Sequence, residues 1–162
     1  MDAELKLSGR SSLDEELTHQ AFALRAAHRW VPSETDLRRG TAVMLSEFQN
    51  SHNLSVSTFA ESASKSRKQI CTGIRARRFL TLRVRGKGMK LPDWQLDEAK
   101  LALTQAILQH RIGLDNWTIY FALSSSLESL GGCSPIAAVH QQNIQNVVRV
   151  VLNSVGVIED LR

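Results

Sequence analysis

The sequence predicts a mainly α-helical protein with one short β-hairpin near the middle of the chain. Apolar residues recur at three- and four-residue steps through most of the sequence, which is the spacing of a helix that buries one face. Between Leu80 and Arg85 the period changes to two, and the turn residues Gly86-Lys87-Gly88 follow. With 162 residues, 43% of them hydrophobic, the chain is long enough to bury a substantial core.

Two helices are expected in the first 53 residues. Leu13 to Trp30 carries apolar residues at helical spacing, and Pro32 and Ser33 end that helix. The run Ser33-Glu34-Thr35-Asp36 supplies an N-cap and early acidic residues for a second helix that extends to about Gln49. Its apolar side comprises Leu37, Val43, Met44, Leu45 and Phe48.

The central segment predicts two short helices separated by polar residues. Ser57 or Thr58 can cap the first, which contains Phe59. Ser64-Lys65-Ser66 interrupts the pattern, and Arg67 to Arg77 forms the second helix. The residues expected to face inward from this second helix are Ile70, Cys71, Gly73, Ile74 and Ala76.

A hairpin follows the second short helix. Leu80, Leu82 and Val84 alternate with polar residues as in a strand, and Met89 and Leu91 lie on the predicted return strand, which Pro92 ends.

The rest of the chain is predicted to be helical. Leu96 to Ile112 forms one helix, and Asn116 caps another from Trp117 to Leu130. Ser134-Pro135 begins a short helix, and Gln142 to Val155 forms the last one. The apolar stripe of this last helix fits either a core or a dimer surface. Together these patterns divide the chain into an N-terminal helical region (1–53), a central region (54–95) and a C-terminal helical domain for dimerisation or partner binding (96–162).

Charge is distributed unevenly along the sequence. Ten Lys or Arg residues and no acidic residue lie between Ser62 and Pro92, although the chain has 20 basic and 16 acidic residues in all. The remainder therefore has more acidic than basic residues. A basic segment of this kind is the electrostatic signature of polyanion binding, although a solvated face has the same composition.

The central region (54–95) has the element order of a winged helix-turn-helix: a helix, a polar turn, a second helix and a Gly-tipped hairpin. In that fold the second helix enters the major groove of DNA. Arg can recognise guanine, Gln can pair with adenine, and Ser or Thr can bind a base or a phosphate. The residues expected to read base edges are Ser66, Arg67, Lys68, Gln69 and Thr72.

Phosphate contacts set affinity and register without selecting a sequence. They are assigned to the cations at the end of the second helix and on the hairpin, namely Arg75, Arg77, Arg78, Arg83, Arg85, Lys87 and Lys90. The alternative for the hairpin is a solvated sheet edge that its cations protect from aggregation.

Four segments resemble the bacterial Xre/MbcA/ParS-type group of antitoxin-like DNA-binding proteins. They are Leu54 to Glu61, Ser66 to Ile70, Arg78 to Leu82, and Leu91-Pro92-Asp93-Trp94-Gln95-Leu96. The resemblance implies a helix-turn-helix followed by a proline-tryptophan-glutamine segment and a small helical domain that binds a toxin.

In the second half, the resemblance continues through Trp117, Phe121 and Leu123 to Leu130-Gly131-Gly132 and Ser134-Pro135. Two features depart from that group. Phe121-Ala122 and Ser124 to Ser126 replace its tryptophan-leucine pair and proline, and Ser64 replaces the glycine often found between the two helices.

No segment predicts an enzyme, a metal site or a cofactor. Gly86-Lys87-Gly88 lacks the remaining glycine of a phosphate loop, and the five histidines are scattered. Cys71 and Cys133 fit neither a metal spacing nor a disulfide framework. The polar start of the chain and the absence of a run of about 20 apolar residues predict a soluble cytoplasmic protein. The expected DNA binding would associate it with the nucleoid.

These observations predict a sequence-specific regulator of transcription that binds double-stranded DNA, of the antitoxin-like repressor type, and forms a homodimer. The sequence leaves two alternatives open. One is an interaction protein that neutralises a toxin, and the other is a nucleoid or plasmid-partition protein that binds DNA with little sequence choice.

Overall fold

A computed structural model describes residues 32–110 and 113–156 of the chain. The predicted helix from Leu13 to Trp30 lies outside these residues. Compact packing divides the chain into residues 1–40 and residues 41–162, and all of the contacts discussed below, apart from the start of the first helix, belong to the second unit. The domain boundaries at residues 53 and 95 stay a prediction.

The described residues form a mainly helical protein with one small antiparallel sheet, which confirms the predicted helical class. The helices are α1 (Glu34–Gln49), α2 (Val56–Ser62), α3 (Arg67–Arg75), α4 (Glu98–Gln109), α5 (Asn116–Ser124), α6 (Pro135–Ala138) and α7 (Ile144–Ser154). The strands are β1 (Asn53–Ser55), β2 (Leu82–Val84) and β3 (Gly88–Pro92), and short 3-10 helices cover Asp93–Leu96 and Glu128–Leu130.

The first described helix begins as the sequence predicts. The Asp36 backbone N–H donates to Ser33 Oγ at 3.1 Å, and the Ser33 backbone N–H donates to Asp36 Oδ2 at 3.1 Å. These reciprocal bonds satisfy two amide groups that a helix start otherwise leaves unpaired. The Ser33 hydroxyl also donates to Asp36 Oδ2, at 2.6 Å, and this bond and the one from the Ser33 backbone N–H lower the pKa of Asp36.

The sheet has one strand more than the predicted hairpin. The order is β1-β3-β2, with Leu54 opposite Leu91 and Arg83 opposite Met89. Strand β1 has only three residues, too few for an alternating pattern to be recognised. It pairs with β3 on the side that the hairpin leaves open, and so joins the start of α2 to the hairpin.

Two clusters of buried side chains form the core of the part of the chain that the structure describes. The smaller one joins α2, α3 and β3 through Phe59, Ile70 and Leu91. The larger one joins Leu80 and Leu82 to α4, α5 and α7. The two-helix segment therefore has an apolar cluster of its own, while the first strand of the hairpin is anchored in the core of the C-terminal helices.

The apolar stripe of the last helix is part of the core. Val147, Val148, Val151 and Leu152 are all buried in the larger cluster. Of the two interpretations that the sequence allows for these residues, the structure supports the core. Homodimerisation stays a prediction.

Several predicted helix ends are wrong for local reasons. Helix α2 is capped by Ser55, because its hydroxyl accepts the Thr58 N–H, and not by Ser57 or Thr58. Helix α5 is capped by Asp115, whose carboxylate accepts from the N–H groups of Trp117 and Thr118, and not by Asn116.

Helix α5 also ends earlier than predicted, at Ser124 and not at Leu130. Two of its last carbonyls accept local hydrogen bonds: the Ser125 N–H donates to the Phe121 carbonyl at 2.9 Å, and Ser124 Oγ donates to the Tyr120 carbonyl at 2.8 Å. Helix α4 begins at Glu98 and not at Leu96, because Asp97 caps it by accepting the Lys100 N–H.

A buried glutamine fixes the segment that leads into the hairpin. The Leu80 N–H donates to Gln95 Oε1 at 2.7 Å, and Gln95 Nε2 donates to the Leu80 carbonyl at 3.0 Å. The neighbouring Trp94 donates from its indole to Thr104 Oγ1 at 3.2 Å and stacks on Tyr120, with ring centroids 5.2 Å apart. The proline-tryptophan-glutamine segment thus connects the hairpin to α4 and α5.

Candidate nucleic-acid interface

The turn between α2 and α3 is held by backbone hydrogen bonds. The Ser64 N–H donates to the Glu61 carbonyl at 3.1 Å, and the Lys65 N–H donates to the Ala60 carbonyl at 2.9 Å. This pair of bonds is a Schellman motif, which requires a left-handed residue after the helix. Ser64 takes that conformation with a φ of 51°, where glycine is usually found. The turn therefore keeps its geometry without the glycine.

Ser66 and Gln69 begin α3 with a complete capping box. The Gln69 N–H donates to Ser66 Oγ at 3.1 Å, and the Ser66 N–H donates to Gln69 Oε1 at 2.8 Å. Both residues were predicted to read base edges. The structure shows that each already accepts a backbone N–H of the other, which is the hydrogen bonding of a helix start.

The next turn of α3 separates an inward from an outward face. Ile70 and Gly73 are buried, whereas Arg67, Lys68 and Thr72 are exposed. The Thr72 hydroxyl donates to the Lys68 carbonyl at 2.9 Å, within the helix. Arg67 and Lys68 are thus the predicted base-reading residues whose side chains make no hydrogen bond within the described residues.

Helix α3 ends two residues earlier than predicted, at Arg75. Arg77 has a left-handed φ of 53°, and the Arg78 N–H donates to the Gly73 carbonyl at 2.9 Å. This is a second Schellman motif. Ala76, which was predicted to face inward, is exposed. Arg75, Arg77 and Arg78 are all exposed at this end of the helix.

The cations of the hairpin do not share one environment. Arg83, Arg85 and Lys87 are exposed, whereas Lys90 is half-buried and its Nζ lies 5.1 Å from the centre of the Phe48 ring. An ammonium in this position is stabilised by the electron-rich face of the ring. Lys90 was predicted to bind phosphate together with the others, and the structure adds this intramolecular contact.

Side chains of α5 also hold the hairpin, through hydrogen bonds to its backbone. The Trp117 indole N–H donates to the Arg83 carbonyl at 3.1 Å, and Asn116 Nδ2 donates to the Thr81 carbonyl at 2.9 Å. Helix α5 therefore fixes the backbone of β2 while the Arg83 side chain remains exposed.

None of the ten cations between Ser62 and Pro92 forms an ion pair with any residue that the structure describes. Elsewhere in the described residues, Arg38 forms an ion pair with Glu34, and His52 Nδ1 lies 2.8 Å from Asp93 Oδ2. Unpaired cations on one segment leave its positive potential uncompensated, which attracts polyanions over a distance set by the ionic strength.

A groove beside α3 brings four of the predicted residues together: Lys68, Gln69, Thr72 and Arg78. It also includes Lys65, Leu101 and Gln105, which the sequence did not identify as site residues. Lys65 could have been identified from its place in the basic segment. The two residues of α4 could not, because only the fold brings them to α3. The hairpin cations are not part of this groove.

Among residues 32–110 and 113–156, no group of three or more His, Cys, Asp or Glu side chains could hold a metal ion. No helix in the same ranges has the length and apolar character needed to span a membrane. Comparison of the chain with known protein families, with curated proteins and with solved structures gave no significant match.

Proposed function

We propose that this protein binds double-stranded DNA through a winged helix-turn-helix and regulates transcription as a repressor. Helices α2 and α3 would be the helix-turn-helix, and β2 and β3 would be the wing. The observation that carries the proposal is the set of cations between Lys65 and Lys90, which have no acidic partner among the described residues and nearly all of which are exposed. Duplex DNA, with one charge per about 1.7 Å of its axis, is the natural partner of such a segment.

In this proposal the first turn of α3 enters the major groove. Arg67 is the residue with the geometry for guanine, because its guanidinium can donate two parallel hydrogen bonds and makes none within the described residues. Lys68 supplies a second exposed cation beside it. Gln69 keeps the N–H donors of its amide for a base, although its Oε1 accepts from Ser66.

The hairpin would bind the sugar-phosphate backbone. Arg83, Arg85 and Lys87 are exposed, and the backbone that carries Arg83 is held by the Trp117 indole. Phosphate contacts of this kind add affinity for every sequence alike. The wing would therefore contribute to binding strength, and α3 to sequence choice.

One observation favours a second candidate, a nucleoid or partition protein with little sequence choice. Three of the five predicted base-reading residues, Ser66, Gln69 and Thr72, use their side chains in hydrogen bonds within α3. Few groups then remain to recognise bases. The two candidates share the same surface and differ in how strongly one sequence is preferred over another.

A homodimer and a toxin partner belong to the repressor proposal. A dimer would bind two half-sites about one helical turn of DNA apart, or a multiple of it. A repressor of antitoxin type would also form a complex with a toxin enzyme encoded beside it. Light scattering of the protein alone tests for the homodimer. Co-purification with the product of the neighbouring gene tests for the toxin partner.

The decisive experiment is selection of duplexes from a random pool, followed by fluorescence anisotropy on the selected and a scrambled duplex. For a repressor, Arg67→Ala weakens binding to the selected duplex by about 1–3 kcal/mol and leaves weak binding to the scrambled one. Arg149→Ala, which removes an exposed cation of α7, is the matched control and leaves the preference intact.

If the selection enriches no sequence but the protein still binds duplex DNA, the nucleoid or partition candidate is favoured. Failure of the protein to bind any duplex at low salt would contradict both candidates.

A further inference from the structure

The groove between α3 and α4 has a volume of about 410 Å³, within the range of pockets that hold small molecules. Three cations line it: Lys65 from the turn before α3, Lys68 from the helix and Arg78 from the segment that follows it. None of the residues that line the groove is acidic. Its charge therefore favours an anionic ligand.

The groove also has an apolar part. Phe79 and Leu101 contribute to its lining, and Gly73 allows the Phe79 ring to approach α3. A Cβ atom at Gly73 would lie only 2.5 Å from Phe79 Cε2. An aromatic side chain and a leucine beside three cations would suit a ligand that has a flat ring as well as negative charge.

The polar groups of the groove have hydrogen-bonding capacity left for a ligand. Gln69 accepts at Oε1 from Ser66, and its Nε2 makes no hydrogen bond within the described residues. Gln105 donates from Nε2 to the Arg78 carbonyl at 3.2 Å, and its Oε1 accepts none there. One amide thus offers donors and the other an acceptor, which is the combination that the edge of a nucleobase requires.

We infer that this groove binds a nucleoside phosphate, with the phosphate beside Lys65, Lys68 and Arg78 and the base against Phe79 and Leu101. Two sources share this chemistry, a free mononucleotide and a nucleotide unit of a DNA strand. The inference rests on the proposed function only for the second source, because a free nucleotide could bind whether or not the protein binds DNA.

Binding of a free nucleotide would compete with DNA. Lys68, Gln69 and Thr72 belong both to the groove and to the face of α3 that is proposed to read bases. A ligand that engages these side chains leaves fewer of them for a duplex. A mononucleotide in the groove would then release the protein from DNA, which would make the groove an effector site.

The test adds a carboxylate to the groove from the α4 side. Leu101→Glu places a negative charge in the groove, and Leu101→Gln changes the same side chain without the charge. Gln109→Glu adds a carboxylate to the exposed end of the same helix, outside the groove. Binding of AMP, ADP and inorganic phosphate is measured by calorimetry and by NMR shifts of the α3 and α4 amides. DNA binding is measured separately by anisotropy.

A free nucleotide as ligand predicts that AMP and ADP bind more tightly than phosphate. It also predicts that Leu101→Glu weakens them at least about tenfold, which is about 1.4 kcal/mol. Leu101→Gln, which loses the apolar contact with the base but adds no charge, weakens them less, and Gln109→Glu, outside the groove, has little effect. If the ligand is instead a nucleotide unit of a DNA strand, mononucleotides should not bind. Leu101→Glu should then lose DNA affinity, and Gln109→Glu should keep it.

The inference is overturned if AMP and ADP bind no better than phosphate while all three variants bind DNA alike. Normal DNA binding by the wild type in that case would leave the proposed function intact. Conversely, a wild type that binds AMP but no duplex would contradict the proposed function and retain the effector site.

Discussion

Ser66 and Gln69 each accept the backbone N–H of the other at the start of α3, at 3.1 and 2.8 Å. The helix proposed to enter DNA is therefore stabilised by two of the residues that a helix-turn-helix would use to read bases. This double role means that an alanine substitution at either position changes the fold and the contact surface together.

Replacement of Gln69 can separate the two roles. Gln69→Ala removes the hydrogen bond from the Ser66 N–H to Gln69 Oε1 and leaves the other half of the capping box, and we expect it to lower the free energy of unfolding by about 1 kcal/mol. Gln69→Glu keeps an oxygen that can accept the Ser66 N–H. Its negative charge is also stabilised by the positive N-terminal end of the helix dipole. Denaturant unfolding should therefore show Gln69→Glu to be near the wild type.

If Gln69 also reads a base, Gln69→Glu changes which base is selected at one position of the binding site. If it acts only as a cap, the added charge weakens binding to all duplexes equally. Loss of stability in Gln69→Glu as large as that in Gln69→Ala would contradict the capping role.

The Phe79 ring packs closely against Gly73 of α3. The Phe79 ring occupies the space that a side chain at Gly73 would need, with Cε2 2.5 Å from an added Cβ. We expect Gly73→Ala to lower the free energy of unfolding by about 1–3 kcal/mol, because the ring has to move. Gly40→Ala in α1 is the control, since no atom lies within 4 Å of its added Cβ.

Alanine has the higher helix propensity, so Gly40→Ala should raise stability by up to about 1 kcal/mol. Thermal and denaturant unfolding of both variants provide the measurement. Equal effects at the two positions would mean that Phe79 does not pack against Gly73.

Arg77 allows stability and DNA binding to be changed in opposite directions. Its φ of 53° is unfavourable for a side chain, so Arg77→Gly should raise the free energy of unfolding by about 1 kcal/mol. The same substitution removes one exposed cation and should weaken DNA binding. Unfolding curves and anisotropy on the same sample check both effects.

Ser64→Gly is the matched control for Arg77→Gly, because Ser64 has a similar φ of 51° and no charge. It should gain stability and leave DNA affinity unchanged. A loss of affinity in Ser64→Gly equal to that in Arg77→Gly would show that the effect comes from the backbone and not from the cation.

Tyr120 makes stability depend on pH at the alkaline end. The pKa of Tyr120 is raised from 10.0 to about 12. Burial is the main cause; the hydrogen bond to Glu47 and the charges of Glu47 and Asp93 act in the same direction, and the hydrogen bond from Asn53 acts against them. The folded protein therefore keeps the phenol proton at pH values where the unfolded chain loses it. Stability should fall as the pH rises from 10 toward 12.

Tyr120→Phe should be less stable than the wild type at neutral pH, by about 1 kcal/mol, because two hydrogen bonds are lost. It should also show a smaller decline above pH 10. Urea unfolding at several pH values compares the two proteins. Parallel declines would contradict a raised pKa for this phenol.

The sequence was sufficient to predict most of the helical fold, because amphipathic helices leave a regular apolar pattern. The limits of α1 and the short helix after Ser134 follow from caps and breakers that can be recognised in the sequence. Strand β1 could not be predicted, since three residues show no period. The early end of α5 at Ser124 could not be predicted either, because its apolar pattern continues beyond that residue.

For the candidate site, the sequence was sufficient to identify the basic segment but not the state of each side chain. Ser66 and Gln69 have the residue types both of a capping box and of base readers, and only the hydrogen bonds show that the cap is formed. Lys90 lies over Phe48, which is 42 positions away in the chain. Gln105 reaches the Arg78 carbonyl across 27 positions. Contacts of this range depend on the tertiary fold.

The salt dependence of duplex binding tests the central proposal most directly. The logarithm of the association constant is measured against the logarithm of salt concentration for the wild type, Lys87→Ala and Arg149→Ala. Binding through the hairpin predicts that Lys87→Ala lowers the slope by about one and weakens all sequences alike, while Arg149→Ala leaves the slope unchanged. Equal slopes for Lys87→Ala and the wild type, or no binding by the wild type at low salt, would contradict the proposal.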